Sequence, residues 1–135
     1  MPRFMLFVYS RGDSAPSVEL VEAMNRYNEE LLKAGALLAL DGLHPPKTAT
    51  QLSFSGSERP TVTDGPFTES KEHVGGYWVI QARSQEEAVD WASRAPLREG
   101  TIEVRRIAEA ADYSPEIARA AEMSGQPPEQ TVATE

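Results

Sequence analysis

The stretch GYWVIQARSQEEAVDWASRAP, residues 76–96, decides the fold. Its first part, residues 77–82, is rich in aromatic and β-branched side chains and predicts a strand. Ser84 is followed three residues later by Glu87, a spacing that predicts a capping box in which the two side chains satisfy free backbone N–H groups at a helix start. Pro96 ends that helix. The stretch therefore predicts a strand that leads into a capped helix.

A similar strand and helix lie nearer the N-terminus. Residues 3–9 are almost wholly apolar, which is typical of a central strand covered on both faces. Apolar side chains then recur at helical spacing up to a stop at Gly35: Leu20, Met24, Tyr27 and Leu31. The segment 36–40 is short and apolar, which fits the end of a strand. Residues 101–107 alternate apolar and charged side chains, as a strand with one face in solvent does.

The connection between these halves contains a second β element. Asp41-Gly42 and Pro45-Pro46 predict turns, whereas residues 48–54 and 59–63 predict a hairpin with Pro60 on its edge strand. The order β-α-β-β-β-α-β, with the hairpin inserted and a short C-terminal helical extension, predicts an α+β sandwich of the ferredoxin-like kind with both helices on one face. Because the other sheet face needs a cover, we expect a homodimer.

The charge balance limits the classes of partner. The 135 residues include 21 acidic and 13 basic side chains, and the formal net charge of -8 argues against nucleic acid as a direct partner. Six of the acids and one Arg lie from Glu109 onward, so residues 109–135 carry -5 and residues 1–108 carry -3. We expect one domain over 1–108 and an acidic extension over 109–135 that is partly helical and then disordered.

Residue types that are absent exclude several kinds of chemistry. The sequence has no cysteine, which removes disulfides, Cys-ligated zinc, iron–sulfur clusters and thiol nucleophiles. No apolar stretch approaches the about 18 residues of a membrane span, and no signal peptide is evident, so we expect a cytoplasmic protein without a membrane partner. Neither histidine lies at metal-ligand spacing from another ligand, and we predict no metal and no other cofactor.

Asp64 is the first candidate for chemistry. It begins the run Asp64-Gly65-Pro66-Phe67, in which the aspartate, glycine and proline are all typical of a turn. One interpretation is that the Asp64 carboxylate only stabilises that turn, and spacing alone favours it. The other interpretation is that a carboxylate held at a strand end and partly desolvated beside Phe67 serves as a general base or acid.

His44 is the second candidate. Two prolines follow it and fix its backbone, and its imidazole titrates near neutral pH, which suits proton transfer. An exposed loop histidine without a chemical role fits the same sequence. Tyr9 and Tyr77 lie near strand ends and, with Phe67, are candidates for binding a substrate.

Four segments together resemble one known family. They are residues 42–46 (GLHPP), 48–50 (TAT), 62–67 (VTDGPF) and 86–88 (EEA), and the likeness spans roughly residues 3–107. The sequence resembles the YCII-related family, and within it the DGPF-domain branch. That resemblance implies a ferredoxin-like, dimeric α+β barrel or sandwich.

The resemblance implies two classes of function. The wider family suggests a His and Asp pair in a cleft that abstracts a proton in a lyase-like or isomerase-like reaction. The substrate would be a small molecule that the sequence does not identify. In this sequence Asp64 matches the signature position and His44 is its partner. Members of the DGPF branch are often encoded near extracytoplasmic-function sigma factors. The alternative is therefore a non-catalytic regulatory partner of such a sigma factor, contacted through the sheet domain or the acidic extension.

Overall fold

The computed structural model describes residues 1–12, 15–67 and 72–124. Six strands lie within these ranges: β1 (Arg3–Ser10), β2 (Leu37–Gly42), β3 (Thr50–Ser53), β4 (Thr61–Asp64), β5 (His73–Gln81) and β6 (Thr101–Arg106). Three α-helices accompany them: α1 (Val18–Lys33), α2 (Gln85–Ser93) and α3 (Pro115–Ser124). The last dozen residues, which the sequence predicts to be disordered, lie outside the described ranges except for Ser124.

Four of the strands form one antiparallel sheet in the order β2-β5-β1-β6. Strands β3 and β4 pair with each other as a separate two-stranded sheet. The predicted α+β class is confirmed, and the order of the larger sheet is compatible with a ferredoxin-like fold. None of the helices in the described ranges is long and apolar enough to cross a membrane.

Helices α1 and α2 pack on one face of the four-stranded sheet. Side chains of alternate residues on β1 and β5 point to that face, because successive side chains of a strand lie on opposite sides. Together with residues of α1 and α2 they form one buried core: Phe4, Leu6, Tyr27, Leu31, Ala36, Trp78, Ile80, Ala82 and Ala88. The sequence-based expectation that both helices cover the same face is therefore met.

Tyr27 links α1, α2 and the sheet in this core. Its ring meets that of Trp78 edge-to-face with centroids 5.2 Å apart, and its hydroxyl donates to the backbone carbonyl of Trp91 at 2.6 Å. The indole Nε1 of Trp78 in turn donates to Asn28 Oδ1 at 2.8 Å. Both aromatic side chains thus bury their rings while keeping a partner for their polar atoms.

Burial of Tyr27 predicts a loss of stability in alkaline solution. Removal from water raises the pKa of the Tyr27 hydroxyl from 10.0 to about 12. Between these values the folded state keeps a proton that the unfolded state has lost, so the free energy of unfolding falls as pH rises through this window, by on the order of 1–2 kcal/mol. Urea unfolding of wild type and Tyr27→Phe at pH 9 to 11.5 measures this: the variant should lose less stability over that range, and equal losses would contradict the assignment.

Strands β2 and β5 extend beyond their predicted ends. Asp41-Gly42, predicted as a turn, lies within β2 and pairs with Tyr77 and Gly76 of β5, which begins at His73. A Cβ atom on Gly76 would lie 2.8 Å from the Asp41 carbonyl oxygen. The glycine therefore lets the two strands continue side by side where larger residues would separate them.

The predicted capping box at α2 is half formed. Ser84 Oγ accepts a hydrogen bond from the backbone N–H of Glu87 at 3.1 Å, which confirms Ser84 as the N-cap. The Glu87 carboxylate accepts from Arg83 Nε at 2.8 Å. The Glu87 carboxylate thus forms an ion pair with Arg83, four residues away, and does not accept from the Ser84 N–H as a full capping box would require.

The C-terminal extension is attached to the sheet by a two-pronged ion pair. Arg3 Nε and Nη2 donate to the two carboxylate oxygens of Glu109 at 2.7 and 3.2 Å. These hydrogen bonds hold the pKa of the Glu109 carboxyl below its usual value. A 3-10 turn at Ala110–Asp112 is separated by Tyr113 and Ser114 from α3, a helix of ten residues that begins at Pro115.

Candidate functional site

The Asp-Gly-Pro-Phe motif lies at the base of the β3–β4 hairpin, residues 50–64, which we call the arm. Thr50 pairs with Asp64 and Leu52 pairs with Val62 across it. The backbone N–H of Gly65 donates to the carbonyl of Ala49 at 2.8 Å and closes the hairpin at its base. The predicted hairpin is confirmed, and Asp64 is the last residue of β4.

The Asp64 carboxylate is held in place but is exposed. Thr50 Oγ1 donates to Asp64 Oδ1 at 3.1 Å across the arm. The partner is thus a side chain of the facing strand and not a group of the turn that follows Asp64. The expected partial desolvation of Asp64 is not found within one chain, because the residue is exposed there.

Gly65 fixes the corner that follows Asp64. A Cβ atom at this position would overlap the backbone carbonyl oxygen of Pro46, so the backbones of the two segments touch directly. The next peptide bond, Gly65-Pro66, is cis. Only glycine allows this approach, which gives the second residue of the motif a packing role.

His44 lies between β2 and the 3-10 turn Pro46–Thr48, and its side chain is exposed. The preceding residue is tied to β5, because the Leu43 N–H donates to the Gly75 carbonyl at 2.9 Å. Pro46, two residues after His44, meets Gly65, the neighbour of Asp64. In the ranges that the structure describes, no hydrogen bond or ion pair joins the two side chains themselves.

The three aromatic candidates are half-buried. Tyr77 pairs with Phe7 of β1 and Asp41 of β2 on the sheet face opposite the helices. Its hydroxyl donates to Asp41 Oδ2 at 2.7 Å, and that bond raises the pKa of the Tyr77 hydroxyl. Asp41 is a polar group that the sequence interpretation missed, since only the β2–β5 register places it beside Tyr77.

The sheet face without helices is apolar over its central strands. We call it the open face and define it by Met5, Phe7, Tyr77 and Val79, which lie in directly opposed pairs on β1 and β5. All four are half-buried. The guanidinium carbon of Arg105 lies 5.9 Å from the centroid of the Phe7 ring.

A polar cleft of about 570 Å³ lies at the end of the sheet where β1 ends and β6 begins. Its lining residues are Ser10, Arg11, Glu72, Glu99, Gly100 and Thr101. Arg11 Nε lies 3.5 Å from Glu72 Oε1. Neither Asp64 nor His44 lines this cleft, and across the described ranges no three His, Asp or Glu side chains are grouped as a metal site would require.

Comparison with known proteins identifies relatives. The family model of the YCII-related domain matches residues 2–111. R00369 of Rhizobium meliloti (strain 1021), a protein described as uncharacterized, is 35% identical over 88 residues, which are 63% of this chain and 70% of that protein. The region that the family model matches contains the four-stranded sheet, α1, α2 and the arm.

Proposed function

Because this chain belongs to the YCII-related family, we propose that it is a cytoplasmic enzyme that binds a small molecule and moves a proton, with Asp64 as base and His44 as acid. The observation that carries the proposal is the fixed position of the Asp64 carboxylate. Thr50 binds it from the facing strand and the Gly65–Ala49 hydrogen bond closes the backbone beside it. A base in a fixed position is what proton abstraction requires.

The neighbourhood of Asp64 supports a shared site with His44. The contact of Pro46 with Gly65 brings the segment that carries His44 against the corner that carries Asp64. The Leu43–Gly75 hydrogen bond brings the same segment to β5, two residues before Tyr77. We therefore assign Tyr77, Tyr9 and Phe67 as the apolar walls for the substrate.

The chemistry that fits these groups is a lyase-like or isomerase-like reaction. The carboxylate of Asp64 removes a proton from a carbon next to a carbonyl group, and His44 donates a proton to the carbonyl oxygen, where negative charge develops. The protein acts as a homodimer in this proposal. Its open face presents Met5, Phe7 and Val79 to the second copy, as the missing cover of a one-sided sheet requires.

Replacement of Asp64 by asparagine tests the assignment of the base. Proton abstraction in D2O replaces a carbon-bound hydrogen by deuterium, which ¹H NMR detects in a panel of small ketones and 2-oxo acids. We expect wild type to exchange one class of compound and Asp64→Asn to exchange it about a hundredfold more slowly, the usual effect of losing a general base.

The matched control is Asp90→Asn. Asp90 is an exposed carboxylate on α2 and is not part of the proposed site. The Asp90→Asn protein should therefore exchange the same compound at the wild-type rate. A folded Asp64→Asn protein with undiminished exchange would remove Asp64 from the role of base.

The C-terminal extension favours a second candidate function. Helix α3 begins after the Arg3–Glu109 attachment, and Tyr113 and Ile117 leave 47% and 54% of their surfaces exposed. An apolar side chain on an otherwise acidic extension suits contact with another protein. The alternative function is therefore that of a regulatory partner, and the resemblance to the DGPF branch makes an extracytoplasmic-function sigma factor the candidate for the protein that it contacts.

A further inference from the structure

The arm has one apolar and one polar face. Alternation along the strands puts Leu52 and Val62 on the face that also carries the Thr50–Asp64 pair. The opposite face carries only polar side chains: Gln51, Ser53, Thr61 and Thr63. The apolar side chains are largely uncovered, with Leu52 52%, Val62 61% and Phe54 75% exposed.

Such an arm lacks the packing that a hairpin needs. An isolated two-stranded hairpin is at best marginally stable in water, and it becomes stable when its apolar face packs on another element. Strands β3 and β4 pair with each other and do not join the larger sheet. Within the residues that the structure describes, the apolar face of the arm therefore has no cover.

The surface area of the chain points the same way. It amounts to 10659 Å², whereas a compact monomer of this mass exposes about 7,000 Å². As an upper limit, the 17 residues outside the described ranges can be assigned the full exposure of an unfolded chain. The area left for the other residues still exceeds that of a compact chain of their mass by roughly 1,600 Å². A standard interface buries about 800 Å² on each partner, so the surplus suffices for a large one.

We propose that the arm of each copy docks with its apolar face on the open face of a second copy of this chain. In a two-fold dimer the arm of each copy contacts the sheet of the other copy, so the same contact forms twice. This suits a chain with an exposed apolar arm and a half-buried apolar sheet face that carries no helix. The arm follows β2 and precedes β5 in the chain, and both of its strands are exposed at every residue.

Docking completes the site, a step that rests on the proposed function. Asp64 lies on the same face of the arm as Leu52 and Val62. When that face is covered, the carboxylate leaves bulk water and lies next to aromatic side chains of the second copy's open face. Asp64 is then exposed in one chain because the cleft forms only when two chains dock, with the arm as one side and the open face of the second copy as the other.

The absence of native cysteine makes a labelling test specific. Leu52→Cys places one thiol on the apolar face of the arm, and Ser53→Cys places one on the polar face next to it. At protein concentrations where light scattering gives a dimer, we expect maleimide to modify Leu52→Cys at least tenfold more slowly than Ser53→Cys. Dilution to monomer should bring the two rates together.

A second pair of variants guards against a mutation that weakens the dimer. Val62→Cys and Thr61→Cys repeat the comparison on the other strand of the arm. If the dimer gave equal maleimide rates for the two members of each pair, the docking would be overturned. Slow modification of Leu52→Cys or Val62→Cys that persists in the monomer would also overturn it, since the arm would then be covered by its own chain.

The receiving surface is tested by cross-linking two proteins that are mixed and reassembled. A short bismaleimide should join Leu52→Cys of one copy to Val79→Cys of the other, whereas Ser53→Cys should give little product with Val79→Cys. If cross-links formed between two arms and none formed between an arm and the sheet, the open face would not be the surface on which the arm docks. None of these readouts depends on turnover, so a failed Asp64 assignment and a failed docking are distinguished.

Discussion

Leu31→Ala is expected to lower the free energy of unfolding by about 2–5 kcal/mol. Leu31 is completely buried on α1 and is among the largest fully buried side chains, with Phe4, Leu6 and Ile80. Truncation removes apolar contacts and leaves a cavity that the rigid sheet beneath does not fill. Urea unfolding followed by circular dichroism measures the loss as a lower midpoint at an unchanged slope.

The adjacent residue supplies the control. Leu32 has the same side chain on the same helix but is 65% exposed, and Leu32→Ala should change stability by less than about 0.5 kcal/mol. Similar losses for the two variants would show that α1 does not bury the face that the structure assigns to it.

Gly65→Ala is expected to destabilise the corner that carries Asp64 by about 3 kcal/mol, the upper part of the range for an overpacked site. The new methyl group would overlap the Pro46 carbonyl oxygen, and backbone atoms yield less readily than the end of a flexible side chain. The segment before the arm or the corner after it must move. Amide hydrogen exchange should show faster exchange of the Gly65 N–H, which donates to Ala49 in the wild type.

Gly42→Ala is the matched control for this prediction. A Cβ atom on Gly42 meets no atom within 4 Å, so the same chemical change should leave the arm intact and cost little. If Gly65→Ala kept both its stability and the slow exchange of its N–H, the contact with Pro46 would not constrain the corner.

Local patterns predicted the elements that depend on near neighbours. The helical spacing from Leu20 to Leu31 and the stop at Gly35 correspond to α1, and Gly35 adopts a φ of +70° just beyond its end. Ser84 capped α2 as expected. The ends of β2 and β5 were predicted wrongly, because Asp41-Gly42 is typical of a turn and only pairing with Tyr77 and Gly76 makes it a strand.

The candidate site was predictable as a motif but not as an arrangement. Sequence spacing placed Asp64 at the end of a hairpin, where the structure has it. It did not indicate that Thr50 would bind the carboxylate, that Pro46 would meet Gly65, or that Asp41 would bind Tyr77. Each of these contacts joins residues from different elements, and their distances depend on how the sheet and the arm are assembled.

The place of β1 in the sheet affects how the chain folds during synthesis. Its two neighbours are β5 and β6, so β1 pairs only with strands that are synthesised much later than itself. The apolar segment Arg3–Ser10 must wait until His73–Gln81 and Thr101–Arg106 have emerged, whereas α1 and the arm form from neighbouring residues. Such long-range pairing slows folding, and the four-stranded sheet, including the face on which a second copy would dock, is complete only after Arg106 has been synthesised.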